Sequence, residues 1–220
     1  MSPRRNYTLG KRAVSVGETR RRIVEAAAAC FATNGILATR FLEVARRADV
    51  APATVSNHFA SKDELAEAFV DHVIRLMEFP AVEIFDAVDD LEERIALLID
   101  CVYESYRRSE PWSRMTQQEI DQVPALRAGA ERLARMIGEL QSRALGDLAA
   151  DADVARVVGA ALSAGFIHAM ETSARDPEHA TELARQLVMR WLSQHTATRT
   201  ILRSSPHADQ RMPVRSSVGG

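Results

Sequence analysis

Cysteine is almost absent from this 220-residue chain: Cys30 and Cys101 are the only two, and both fall on apolar helical faces. That excludes a disulfide-stapled scaffold or a cysteine-rich metal site and fits small buried hydrophobes in a reducing compartment. Aromatic residues make up only 5%, with 10 glycines and 8 prolines, which excludes a collagen-like or low-complexity chain. No run approaches the roughly 18 consecutive apolar residues of a membrane span. The basic N-terminus lacks the apolar core of a signal peptide, so a cytoplasmic protein with no membrane partner is expected. The six histidines show no metal-ligand spacing, and there is no glycine-rich phosphate loop and no nucleophile motif. Neither an enzyme, nor a cofactor, nor a metal site is expected.

Strands are missing too, since no stretch alternates apolar and polar residues convincingly. With 46% hydrophobic content the chain is an ordinary globular protein rich in helix formers, and its fold class is all-α. The net charge of −2 hides an asymmetry. Residues 1–62 carry eleven Lys/Arg against four Asp/Glu, a net of +7, and residues 63–196 a net of −12. Residues 197–220 return to +3. A basic N-terminal lobe on an acidic body suits a polyanionic partner facing that lobe alone.

The basic lobe also carries the most legible motif. Thr39 to Ala48 reads as a short amphipathic helix with Phe41, Val44, Ala45 and Ala48 on one face. Asp49-Val50-Ala51 turns the chain, and Pro52 to Phe59 starts again with proline at the first helical position, where its missing N–H costs nothing. Helices this short are not stable alone. Two of them held at an angle by a tight turn form a helix-turn-helix unit, whose second helix fits the DNA major groove.

Around this unit, residues 1–18 read as a flexible basic arm and a first helix is expected from Thr19 to Asn34, with Ile23, Ala27, Cys30 and Phe31 inward and Gly35 ending it. Ser61-Lys62-Asp63-Glu64 is a capping box opening a fourth helix, with Leu65, Phe69, Val73 and Leu76 on one stripe. Further helices are expected near 81–88, 89–109, 111–121, 124–148, 151–174 and 177–195. The composition after Thr196 shifts to Ser, Arg, Pro and Gly, so 197–220 reads as a disordered tail. The expected division is a helix-turn-helix DNA-binding domain over 19–65 and a helical domain over 66–196.

The same residues resemble the tetracycline-repressor (TetR) family of bacterial regulators. The likeness runs through Thr19-Arg20 to Ala27, Phe31 to Gly35, Ala38-Thr39, Val44 to Val50, and His58-Phe59-Ala60-Ser61-Lys62-Asp63-Glu64-Leu65. It stops near residue 75. Three positions depart from the family pattern: the turn glycine is Asp49, the N-cap of the third helix is Ala51, and the aromatic usual in mid-helix is Ser56. They bear on operator sequence and affinity rather than on DNA binding itself.

With the third helix in the major groove, Thr54 and Ser56 can bond phosphates or base edges, and Asn57 suits adenine N6/N7. Pro52 and Ala53 can touch thymine methyls, and His58 is a phosphate candidate, whereas Val55 and Phe59 read as core. Lys62 lies in the first turn of the fourth helix, where free amides and the dipole already favour an anion. Thr39, Arg40 and Arg20 are further phosphate candidates.

The resemblance also implies a homodimer on a palindromic operator and a pocket for a small effector in the body. Val158, Ala161, Leu162, Gly165, Leu187 and Trp191 are the candidate dimer contacts. The candidate pocket residues are Met77, Phe85, Cys101, Tyr103, Tyr106 and Trp112, followed by Met115, Met136, Phe166, His168 and Met170. This lining is mainly apolar and lacks an acidic cluster, which points to an apolar effector and away from a strongly cationic one. The expected function is a ligand-responsive transcriptional repressor. The alternatives are an activator, a regulator without a ligand, or a helical protein-interaction module with a vestigial helix-turn-helix.

Overall fold

The computed structural model describes residues 4–204, with side chains over 16–197. Among these residues every regular element is helical, as expected. Helix α1 covers Arg4–Asn34, so Thr19 lies inside the helix instead of capping it, and part of the expected arm is helical. The helix stops where expected, at Gly35, whose φ of 80° only glycine adopts freely. Helix α2 (Phe41–Ala48) begins two residues later than its pattern predicts, with Arg40 as N-cap and the Glu43 carboxylate accepting from the Arg40 N–H at 3.1 Å. It ends on Asp49, which takes up the left-handed conformation (φ 53°) in place of glycine. Helix α3 (Pro52–His58) has no side-chain cap at Ala51 and relies on the Thr54 N–H to Ala51 carbonyl bond at 2.8 Å.

Helix α4 (Lys62–Met77) is capped by Ser61, whose hydroxyl accepts from the Glu64 N–H, while Glu64 reaches back to the Ala60 N–H. Leu65 and Phe69 face inward, but Leu76 is exposed and Met77 takes the buried position. The expected helix over 81–88 is only a 3-10 turn, Val82–Phe85. Helices α5 (Leu91–Arg108), α6 (Glu110–Glu119) and α7 (Pro124–Leu145) follow, each close to its predicted range.

The single helix expected over 151–174 is two, α8 (Ala152–Ala161) and α9 (Ala164–Ser173), bent by 49° at the break. Ser163 caps the break: its hydroxyl donates back to the Ala160 carbonyl at 2.7 Å and accepts a free amide of the first turn of α9, from Phe166. Helix α10 (Pro177–Ser204) runs past the expected end at 195, and the tail from 205 on lies outside the described residues. No single helix among the described residues is long and apolar enough to cross a membrane.

Two apolar cores organise these helices. The first joins Ile23, Phe31, Val44, Val55, Phe59, Leu65 and Phe69 from α1–α4 to Met115, Val123 and Leu126. The second joins Ile95, Leu98, Tyr103, Leu140, Val154, Val158, Leu162 and Val188. Each such side chain contributes about 1.5–3 kcal/mol by leaving water. Helix α4 passes from the first core toward the second and packs on α7, where Gly129 leaves room for Val70: a Cβ there would lie 2.4 Å from Val70 Cγ1.

The second core corrects half of the expected dimer contacts. Val158, Ala161 and Leu162 are at most 5% exposed and pack inside the chain, because the break turns that face of α8 inward. Gly165 and Leu187 are exposed, and Trp191 is half-buried, stacked on His195 with ring centroids 4.7 Å apart.

Candidate nucleic-acid interface and the cavity behind it

A short helix presents a reading face only if its other face is anchored. Val55 and Phe59 anchor α3, both fully buried, which leaves Pro52, Ala53, Ser56 and Asn57 exposed and Thr54 and His58 half-buried. The candidate contacts of this helix thus share its outer surface. Arg40 is exposed at the start of α2, but Thr39 is 2% exposed and its hydroxyl donates to the Gly35 carbonyl at 2.6 Å. Thr39 serves the α1–α2 loop and is not offered to DNA.

Lys62 is half-buried, and its Nζ donates to the Leu37 carbonyl at 2.7 Å, pinning it beside the loop. An ammonium has three donors, so two remain for a phosphate. Arg20 is held differently: its guanidinium lies 4.2 Å from the Phe59 ring centroid and 4.0 Å from the Glu64 carboxylate. Arg22 donates to the carbonyls of Ala48 and Asp49, fixing the end of α2 and the turn, and Arg21 pairs with Glu18 and Glu25. Arg46 and Arg47, which the sequence reading passed over, are exposed in the last turn of α2 and make no ion pair, nor does Arg40. Their signal was the plain basic pair ahead of the turn.

Behind this lobe lies a cavity of about 660 Å³ bounded by α4, α6, α7 and the α8–α9 break. Helix α4 supplies Phe69, Val70, Val73, Ile74 and Met77. Helix α7 supplies Leu133 and Ile137 beside the small residues Gly129, Ala130, Ala134 and Gly138. Of the pocket residues expected from sequence, Met77, Tyr106, Trp112 and His168 line it.

The other seven do not. Phe85 and Tyr103 are buried in the second core, with the Tyr103 hydroxyl donating to the Ala161 carbonyl at 3.3 Å. Met115 is buried in the first core. Cys101, Met136, Phe166 and Met170 sit on faces of their helices that the cavity does not reach. Trp112 lines the cavity, yet its indole N–H is already donated to the Ala28 carbonyl at 2.7 Å, so it offers a ligand only its ring. Tyr106 keeps its phenol, with a pKa pushed up to about 12 by burial, a group that stays a neutral hydrogen-bond donor.

The lining, expected to lack a buried acidic cluster, does include two separate carboxylates. Glu110 and Glu171 both line the cavity, and no lysine or arginine does. Glu171 is held by the Arg107 guanidinium at 3.0 Å, while Glu110 is exposed and makes no ion pair. Burial raises the Cys30 and Cys101 thiols above their usual range, and both are free cysteines, the former buried and the latter half-buried.

Residues 23–69, most of the lobe that carries α1–α4, match the family model described as bacterial regulatory proteins, tetR family. No curated protein matches the chain. Solved structures do. The multidrug binding protein EbrR complexed with imidazole is 25% identical, covering 78% of this chain and 93% of its own at a TM-score of 0.57. A member of the TetR family from Streptomyces coelicolor A3 is 23% identical, covering 79% and 97% at a TM-score of 0.59. The transcriptional regulator FadR from Bacillus subtilis, in complex with stearoyl-CoA, shares the fold at 17% identity, covering 76% and 96% at a TM-score of 0.57.

Proposed function

We propose that this chain, which belongs to the TetR family of transcriptional regulators, represses transcription as a homodimer and is released from a palindromic operator by a small, mainly apolar effector. The observation that carries this reading is the course of α4. Its first turn holds Lys62 beside the reading helix, and from Phe69 onward it supplies five side chains to the cavity wall. One rigid element thus belongs to both sites, which is what linkage between two ligands needs. In this reading residues 19–65 form the DNA-binding domain and 66–196 the effector and dimer domain, with α4 crossing between them.

Arg40, Pro52, Ala53, Thr54, Ser56, Asn57, His58 and Lys62 make the DNA contacts, Asn57 reading adenine and Lys62 a phosphate. The second copy docks on the exposed face of α9 and α10, where Leu183 and Leu187 are 37% and 55% exposed on α10, Trp191 is half-buried on the same helix and Gly165 is exposed on α9. Exposed leucines at helical spacing beside small residues favour an isologous helical interface. The effector is apolar and neutral or cationic. An anionic head such as the phosphates of stearoyl-CoA, the ligand of the FadR neighbour, meets no cation in this lining and two carboxylates instead, of which Arg107 already pairs with Glu171 and leaves Glu110 unpaired. Tyr106 and His168 orient the ligand and α7's small residues give it volume.

The experiment is a gel shift with the DNA flanking the protein's own gene, with and without Nile red, a neutral apolar dye. A specific complex that the dye dissolves supports the reading. A complex no tighter than that on random DNA contradicts it.

A further inference from the structure

Helix α6 touches both sites through adjoining faces that share Trp112. Trp112, Ser113, Thr116 and Gln117 line the cavity. Its other contacts reach the DNA-binding lobe: Trp112 donates to the Ala28 carbonyl and its ring lies 5.9 Å from Phe69, and Met115 is buried in the first core. At its last residue the Glu119 Oε2 accepts two backbone amides of the α1–α2 loop, from Ile36 at 2.8 Å and Leu37 at 3.3 Å. The approach is close. Gly35 lies under this carboxylate, and a Cβ there would come 2.1 Å from Glu119 Oε1. Glu119 has no cationic partner, so these amides are what holds its half-buried charge. The carbonyl of the same Leu37 accepts from Lys62, so carboxylate, loop and ammonium form one series.

We propose that Glu119 is a positioning residue for DNA binding. It clamps the α1–α2 loop so that Leu37 presents Lys62 to the phosphate, and a cavity occupant that displaces α6 withdraws the clamp. This rests on the reading of Lys62 as a DNA contact and of the cavity as the effector site. A hydrogen bond to a charged group is strong because the charge is only partly screened. Withdrawing one end of a ten-residue helix by an ångström is enough to break it, since such bonds weaken steeply with distance.

The test is a double-mutant cycle on operator affinity in the full chain, with Glu119→Ala, Lys62→Ala and both. Glu119→Ala is expected to weaken operator binding about tenfold, the low end for a bond to a charged group. The double variant should be no weaker than Lys62→Ala alone, because the two residues act in series. Glu119→Gln keeps a carbonyl acceptor but loses the charge, and should fall between wild type and Glu119→Ala. Glu119→Asp keeps the charge but falls short of the loop, and should behave as Glu119→Ala even if the alanine variant folds poorly by circular dichroism.

Multiplicative losses would overturn the clamp, and so would wild-type affinity in Glu119→Ala and Glu119→Asp with Lys62→Ala impaired. If Lys62→Ala also binds as wild type, it is the DNA interface itself that has failed, and the clamp with it. In a second arm, Nile red should speed amide exchange at Ile36 and Leu37 of the wild type and lower its operator affinity. It should leave the affinity of Glu119→Ala within about twofold, since the coupling, typically about 5- to 150-fold, has lost its link. An equal drop in both proteins overturns the coupling through α6, as does dye binding that leaves wild-type DNA affinity unmoved; the cycle then judges the clamp alone.

Discussion

Replacing Lys62 by alanine should change how DNA binding depends on salt. Among residues 16–65, the exposed or half-buried cations that make no ion pair and are not, like Arg22, committed to two backbone carbonyls are Arg40, Arg46, Arg47 and Lys62, four per chain and eight in the proposed dimer. Each phosphate neutralised by such a group releases a condensed counterion. The logarithm of the affinity then falls with the logarithm of salt at about 0.9 per contact, for an upper-limit slope near −7. Between 50 and 200 mM salt such a slope amounts to about 10⁴-fold in affinity. Lys62→Ala removes one contact in each chain, so the slope should become shallower by about 2. Because phosphate contacts carry no sequence information, operator and scrambled duplexes should lose affinity by nearly the same factor. Fluorescence anisotropy with both duplexes across that salt range reads slope and ratio together. An unchanged slope in Lys62→Ala, or a loss confined to the operator, would refute the placement of Lys62 on a phosphate.

Asn57→Ala should leave the salt slope in place and erode discrimination between operator and scrambled DNA, by about 1–3 kcal/mol if the bidentate contact to adenine is made. Gly129→Val forces side-chain atoms into Val70 and should destabilise the chain by about 1–3 kcal/mol, read as a lowered melting temperature. An unchanged melting temperature would mean the α4–α7 contact is looser than it stands. Leu187→Glu places a charge on the most exposed leucine of α10 and should give monomers in sedimentation with helical content preserved. Tyr106 titrates at about 12 in the folded chain and near 10 unfolded, so its contribution is fully present below pH 10 and fades as pH rises toward 12. The melting temperature of Tyr106→Phe should fall less steeply over that window than that of wild type.

What the sequence made legible follows from how local each signal is. Helices α2–α4 were legible because Pro52, the Ser61–Glu64 box and the helical spacing of Val44 and Ala48, of Val55 and Phe59, and of Leu65 and Phe69 act within one or two turns. Thr39 was misplaced because nothing in its neighbourhood says that its hydroxyl turns back to the Gly35 carbonyl. The α8–α9 break was missed because Ser163 fits a helix interior or a cap equally well, and only packing against Tyr103 and α10 decides. The cavity was sought in methionines and aromatics, which fill space and therefore went into the cores, as Phe85, Tyr103 and Met115 did. Its real marker is the run of small residues Gly129, Ala130, Ala134 and Gly138 on one face of α7, where volume is left open. The Glu119 clamp spans more than 80 residues of sequence and leaves no local pattern at all.

The most direct test of the central claim is a selection of bound sequences from a pool of random duplexes, followed by sequencing. The account predicts a palindromic consensus with half-sites about one helical turn apart, roughly 34–36 Å or a little more, which Asn57→Ala degrades. Enrichment of no sequence, or of a single half-site without its mirror image, would contradict a dimer that reads DNA through α3.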